Sequence, residues 1–260
     1  MIYAIGDIHG QIDMLHTALD LIAADGGADA QVIFVGDYTD RGPNSKAVID
    51  TLIKGQSEGR NWTCLKGNHD RMFHDFVTKG VEHDPMVKSN ISWVNKRLGG
   101  VTTLASYGVT GDPHFTHHDG DLERLTHYSK DGETLTRDDV LAQAKSLVPQ
   151  AHLNFLDALP LIHETDDHIF VHAGLRPHVP LADQDAEDML WLRDGFLETG
   201  YNFGKLVVHG HTALDHPTLY ETRLNIDGGA GYGQPLVPIA LNGTSCWTLT
   251  ANGRQPLTLA

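Results

Sequence analysis

The first part of the chain alternates short apolar runs with longer amphipathic stretches. Residues 2–5 and 32–35 are four-residue apolar runs, and Trp62-Thr63-Cys64-Leu65 is a third strand-like run, the length and character of strands buried in a parallel sheet. After the first run, Ile12, Leu15, Leu19 and Ile22 recur at spacings of three and four, which predicts a helix with one apolar face. Val48, Ile49, Leu52 and Ile53 predict a second helix after the second run. Asp25, Gly26 and Gly27 stop the first helix, and Gly55 with Gly59 marks the end of the second. This β-α-β-α-β order predicts an α/β fold with a parallel sheet and right-handed crossovers.

The pattern then blurs. Residues 71–160 are polar, rich in His and Asp, and mainly helical in character, so they read as a helical cap or insertion. Residues 93–100 read as a helix ending at Gly99 and Gly100. Residues 114–121 read as a loop, and 138–146 as a helix with Asp138 and Asp139 in its first turn. Strand-like runs resume at 169–171 and 206–208, with an apolar helical turn at 189–192. The tail, at 219–226, 236–241 and 246–249, predicts a second sheet of mixed or antiparallel type. No repeat, low-complexity tract or linker divides the chain, so one domain over 1–260 is expected.

Composition narrows the class. A chain that is 40% apolar and 20% charged reads as a soluble globular protein. Its net charge of -15 argues against non-specific nucleic-acid binding and against a basic membrane-binding face. Bound divalent cations would add positive charge that this count omits. Cys64 and Cys246 sit in apolar, strand-like contexts and read as buried free thiols, consistent with a reducing compartment. With no signal-peptide pattern and no apolar run near the ~20 residues of a membrane span, a cytoplasmic protein is expected. Nothing in the pattern speaks to oligomeric state. Seventeen histidines are many for such a chain, which makes their positions informative.

Five strand ends carry residues suited to chemistry: Asp7 with His9, then Asp37, Asn68, His172 and His211. Parallel strands bring such residues to a common edge, where open α/β folds bind ligands. Carboxylates, imidazoles and one amide oxygen form a mixed O/N set suited to Mn²⁺, with Fe or Zn²⁺ as alternatives, rather than to Ca²⁺. One carboxylate shared between two ions gives a two-metal arrangement that clamps phosphoryl oxygens, with a bridging hydroxide as nucleophile. Any one of these residues alone reads more simply as a turn or a satisfied polar group; five together read as a metal site.

The ordered segments Gly6-Asp7-Ile8-His9-Gly10, Gly36-Asp37-Tyr38-Thr39-Asp40-Arg41-Gly42, Gly67-Asn68-His69-Asp70, Val171-His172-Ala173-Gly174 and Gly210-His211-Thr212 resemble the motifs of the calcineurin-like metallophosphoesterases. The Asp40-Arg41-Gly42 ending resembles the phosphoprotein phosphatase branch, which includes symmetric dinucleoside tetraphosphatases. The resemblance implies a β-sandwich of two mixed sheets flanked by helices. It implies two divalent ions, with Asp7 and His9 on one, Asp37 bridging, and Asn68, His172 and His211 on the other. It implies His69 as general acid, held and charged by Asp40. Arg41, Arg193 and Asn68 would bind substrate phosphate.

The activity implied is hydrolysis of phosphate monoesters, first on phosphoserine or phosphothreonine in proteins, with symmetric diadenosine tetraphosphate hydrolysis as the alternative. A nuclease or an inactive binding module that keeps the fold is a weaker reading. Two residues depart from the branch pattern. Lys66 stands where it usually has arginine, losing a bidentate fork, and Asp70 stands where it usually has glutamate. His209 reads as a neighbour of the site, and His114, His117 and His118 as loop residues.

Overall fold

The computed structural model describes residues 1–116 and 122–260; His117 and His118 lie outside the described residues. Strand β1 (Ile2–Ile5) turns Tyr3 and Ile5 to one face and Ala4 to the other. β2 (Gln31–Phe34) does the same with Val32 and Phe34 against Ile33. A sheet with apolar side chains on both faces must be covered on both. Helices α1 (Ile12–Gly26) and α2 (Ser45–Ser57) cover one face, burying Leu15, Ala18 and Ile22 of α1 and Val48, Ile49 and Leu52 of α2. β3 (Trp62–Cys64) completes the parallel run β1-β2-β3. Gly55 does not end α2 but lies within it. A Cβ there would sit 1.9 Å from the Trp62 ring, so the glycine makes room for the indole.

The polar middle of the chain is less helical than its sequence predicts. It holds α3 (Asn68–Lys79), α4 (Gly100–Ser106), β4 (Asp112–Thr116), β5 (Arg124–Lys130), β6 (Glu133–Thr136), α5 (Arg137–Leu147) and α6 (Gln150–Ala158). β4, β5 and β6 form a three-stranded antiparallel sheet. That sheet escaped the sequence reading because β4 and β6 are mostly exposed and the β4–β5 register shifts at His114 and Phe115. Only Leu125 and Tyr128 of β5 are buried, too few to set a period of two. His114, expected in a loop, lies in β4. Gly99 and Gly100 begin α4 rather than end a helix. A Cβ on Gly99 would fall 2.2 Å from the Arg41 backbone nitrogen, so this glycine marks a close approach between segments.

Strands β7 (Ile162–Glu164), β8 (His168–Val171) and, after α7 (Ala186–Trp191), β9 (Leu206–His209) belong to a second sheet. The tail splits between the sheets instead of building one by itself. β10 (Thr218–Leu219) and β11 (Arg223–Asn225) complete the order β10-β11-β9-β8-β7. β12 (Ile239–Asn242), β13 (Ser245–Thr250) and β14 (Gly253–Pro256) extend the first sheet to β14-β13-β12-β1-β2-β3. β1 is apolar on both faces and needs a partner on each edge; β12 supplies the second one, pairing Ile2 with Leu241.

Both sheets are therefore mixed, and they pack on each other. Ala4, Ile33, Val35 and Leu65 meet Phe170, Val208, Leu224 and Ile226 between them. Cys64 and Cys246 are buried and unpaired. No described helix is long and apolar enough to cross a membrane.

Candidate active site

The sandwich brings the ends of β1, β2, β3, β8 and β9 to one edge. Asp7, His9, Asp37, Asn68, His69, His172 and His211 gather there, and all are buried. Links between the sheets fix their relative height: the His172 ring bonds the Val35 carbonyl at 2.9 Å, and the His211 N–H donates to both Asp7 carboxylate oxygens at 3.1 Å.

Asp37 is the centre of the cluster. It belongs with His9 and His69 to one group of converging donor atoms, and with His172 and His211 to a second. Its Oδ2 lies 3.6 Å from His9 Nε2 and 3.5 Å from His172 Nε2. Both imidazoles use Nδ1–H to donate to backbone carbonyls, His9 to Thr39 at 2.7 Å and His172 to Val35. In a neutral ring this leaves Nε2 as a lone pair. Burial holds His9 well below its ordinary pKa, with Arg41 and His69 adding to the shift. The His9 lone pair thus faces the Asp37 carboxylate beside the Arg41 guanidinium, a position that a divalent cation would also satisfy.

The second group has the same character. The Asn68 Oδ1 lies 2.9 Å from His172 Nε2 and 2.9 Å from His211 Nδ1, while His211 Nε2 is buried without a partner. Burial raises the Asp7 carboxyl well above its usual range, and the Asp227 and Asp37 carboxylates push the same way. Crowded acids and bare imidazole nitrogens are what a dication would stabilise. The residues fit a pair of divalent ions.

Beside this floor, His69 Nδ1 meets Asp40 Oδ2 at 2.6 Å. Trp93 Nε1 donates to the same oxygen at 2.7 Å, and Thr103 Oγ1 donates to Oδ1 at 2.7 Å. Burial pushes the Asp40 carboxyl up to about 7, and the Thr103 and Trp93 donors oppose that shift. The His69 imidazole is pushed down to about 3, mainly by burial. Trp93 and Thr103 are 53 and 63 residues from Asp40, and nothing in their sequence context points to it.

The backbone of the floor is unusual. His9, Asp37, Asp40, Arg41 and His211 have φ of 46°, 54°, 72°, 64° and 65°. This left-handed region costs a non-glycine residue about 1–2 kcal/mol. Asp70 supports part of it by accepting the N–H groups of Asp37 at 2.9 Å, Tyr38 at 2.9 Å and Gly67 at 3.0 Å. Gly67 precedes α3, and Asp70 three residues on accepts its N–H as the acidic member of a capping box does, without the side-chain half that glycine lacks. Gly67 itself must lack a side chain, because a Cβ would lie 2.1 Å from Asp37 Oδ1.

Arg41 lies over the floor, its guanidinium meeting His9 Nε2 and, at 3.1 Å, His69 Nε2. It also stacks on the exposed Tyr232 ring, 4.7 Å from its centroid. Arg193 lies on the rim, 3.4 Å from the His211 carbonyl. Lys66 faces away from the floor, donating to the Asp157 carbonyl at 3.0 Å beside the end of α6. His209 is held by Arg223 and by the Gly210 carbonyl, outside both donor groups.

Above the floor opens a cleft of about 440 Å³. Met86, Val87, Lys88 and Ser89 form one wall, and Trp191, Leu192 and Arg193 the other. Of these residues only Arg193 carries a role expected from the sequence; no motif marks the others.

Several known proteins resemble this chain. The asymmetrical bis(5'-nucleosyl)-tetraphosphatase PrpE of Halalkalibacterium halodurans is 25% identical over 97% of the chain and 94% of that protein. The symmetrical bis(5'-nucleosyl)-tetraphosphatase of Ectopseudomonas mendocina is 39% identical, over only 26% of the chain and 24% of that protein. The fold is similar to that of a cold-active protein-tyrosine phosphatase from Shewanella, with a TM-score of 0.59 and 14% identity, over 99% of this chain and 80% of the other. Residues 1–225 match the calcineurin-like phosphoesterase family. The chain therefore belongs to the calcineurin-like phosphoesterases, hydrolases of phosphate esters built around a dinuclear metal centre.

Proposed function

We propose that the protein hydrolyses dinucleoside tetraphosphates, with diadenosine tetraphosphate as the first substrate to test. The observation carrying this reading is the pair of cations, Lys88 and Arg193, that two separate segments bring to the lining of the cleft. Lys88 and Arg193 both line it, and among the described residues neither forms an ion pair with a carboxylate. Asp188 and Asp194 also line the cleft; Asp188 is paired with Arg176, and Asp194 follows Arg193. Free cations above a polar floor suit a substrate with several negative charges, and Met86, Val87, Leu98 and Trp191 offer apolar surface for a base. The relative that aligns over nearly the whole chain is a bis(5'-nucleosyl)-tetraphosphatase, which supports this reading.

In this reading Asp7, His9 and Asp37 hold one divalent ion, and Asp37, Asn68, His172 and His211 hold the other. Mn²⁺ suits the mixed donor set, with Fe or Zn²⁺ as alternatives. The ions, when bound, polarise the phosphoryl group and lower the pKa of water. His69 donates a proton to the leaving oxygen, and Asp40, bonded to its Nδ1, fixes the orientation of the ring. Arg41 and Arg193 bind phosphate oxygens as planar donors. The Asn68 oxygen faces His172 and His211, and its Nδ2 has no hydrogen-bond partner among the described residues, so it is available to a phosphate oxygen.

Phosphomonoester hydrolysis on phosphoproteins is the second reading, favoured by the Asp40-Arg41-Gly42 sequence. Side-by-side turnover of diadenosine tetraphosphate and phosphoserine peptides with Mn²⁺ decides between them. Faster turnover of the dinucleotide is expected; activity confined to phosphopeptides would overturn the proposal. Product analysis then reads the bond cut: two nucleoside diphosphates for symmetric cleavage, a triphosphate and a monophosphate for asymmetric.

A further inference from the structure

We infer that Arg71 is a positioning residue that sets the width of the cleft and so its selectivity for large substrates. Arg71 follows Asp70 in α3 but is absent from the cleft lining. Its guanidinium ties together segments from both walls. Nη2 donates to Asp84 Oδ2 at 2.7 Å. Nη1 and Nη2 form a fork on Glu187, at 2.5 and 2.9 Å. The same guanidinium lies 5.9 Å from the centre of the Trp191 ring.

Each partner organises one wall. Asp84 uses its other oxygen to accept the Met86 N–H at 2.9 Å, and its carbonyl accepts the Val87 N–H at 3.0 Å. That turn starts the segment carrying Met86 to Ser89 along the cleft. Glu187 lies in the first turn of α7, where the Asp185 side chain caps its N–H at 2.8 Å, and α7 ends at Trp191. Trp191 lines the opposite wall and packs edge-on against His211. One side chain, rooted beside the residue that supports the floor, therefore holds both walls. The Arg71 and Asp84 side chains are 19% and 9% exposed, so this pair is screened less than a surface ion pair; Glu187, at 49%, is the looser arm.

A small phosphate ester needs only the floor, whereas a long one must also contact both walls. Loosening the clasp should therefore raise KM for large substrates and spare small ones. The role rests on the proposed reading only in taking the dinucleotide as the large substrate. The test compares p-nitrophenyl phosphate, diadenosine tetraphosphate and a phosphopeptide on the Mn²⁺-loaded wild type, Arg71→Met, Arg71→Lys and Glu187→Gln. KM for the preferred large substrate should rise about 10-fold in Arg71→Met, while kcat on p-nitrophenyl phosphate stays within about twofold.

Arg71→Lys keeps the Asp84 pair but loses the fork, so it should recover part of the loss. Equal losses on all substrates, or an unchanged KM ratio, would overturn the clasp. If Arg71→Met does not fold, the half-exposed Glu187→Gln supplies the same ratio. A wild type active on phosphopeptides alone would sink the dinucleotide reading while leaving the clasp testable on the peptide.

Discussion

The floor and the walls of the cleft are built by different means. The floor is backbone-determined. Five of its functional side chains hang from residues with left-handed φ, and Asp70 ties loops together through three main-chain N–H groups. The two walls are joined by side chains, through one arginine fork reaching Asp84 and Glu187. The floor must hold donors to within fractions of an ångström, which locked backbone provides at a cost in strain. A wall needs only the right spacing, and an ion-pair clasp supplies that while letting the segments differ. The contrast teaches that chemistry and substrate choice can be perturbed separately in this molecule.

The largest expected effect comes from the centre of the floor. Asp37→Asn should lower kcat on every substrate by about 10³-fold or more, because both donor groups share this carboxylate. Circular dichroism should show the fold retained. Chelation should give the same uniform loss, reversed by added Mn²⁺. Residual activity that ignores chelation would contradict the floor as a metal centre.

His69→Asn should act more selectively. Turnover should fall by roughly 10²-fold or more where the leaving group needs a proton, and less for an aryl phosphate. Parallel losses on phosphoserine and p-nitrophenyl phosphate would reject the acid role. Asp70→Ala sharpens the comparison from the side of stability. It leaves three buried N–H groups unmet, at about 1–3 kcal/mol each before relaxation. A lower Tm with an accompanying loss of kcat on all substrates of about 10–100-fold is expected, since the floor and not a wall is disturbed.

The smallest effect belongs to the insertion. Thr136 caps α5, its hydroxyl accepting the Asp139 N–H while Asp139 accepts the Thr136 N–H. Thr136→Ala should cost about 1 kcal/mol in denaturant melts and leave kcat unchanged on every substrate. A change in kcat here would mean that floor and insertion are not separable.

The same division explains what the sequence made legible. Asp7, Asp37, Asn68, His172 and His211 each follow a short apolar run, so strand ends could be read as a gathering point. The parallel run β1-β2-β3 and its two helices follow from simple spacing. Long-range support left no comparable trace: Trp93, in the segment before α4, and Thr103, within α4, reach Asp40 across 53 and 63 residues of chain. Gly99 looked like a helix stop because close backbone approach and helix termination select the same residue. Lys66 departs from the arginine usual in the branch, and its stem turns toward the end of α6 rather than toward the floor. The sheet β4-β5-β6 was hidden because β4 and β6 are mostly exposed and β5 buries only Leu125 and Tyr128, three apart, so no period of two is written into the sequence.

The pairing of β1 with β12 also has a consequence for synthesis. Ile2 sits between Gln31 and Leu241, so one neighbour emerges early from the ribosome and the other more than two hundred residues later. Until β12 is made, the apolar edge of β1 stays open to intermolecular pairing, and Asp7 and His9 just beyond it lack their final support. The donor cluster needs His211, which follows β9, so it is assembled only after that strand has been made and packed beside β8.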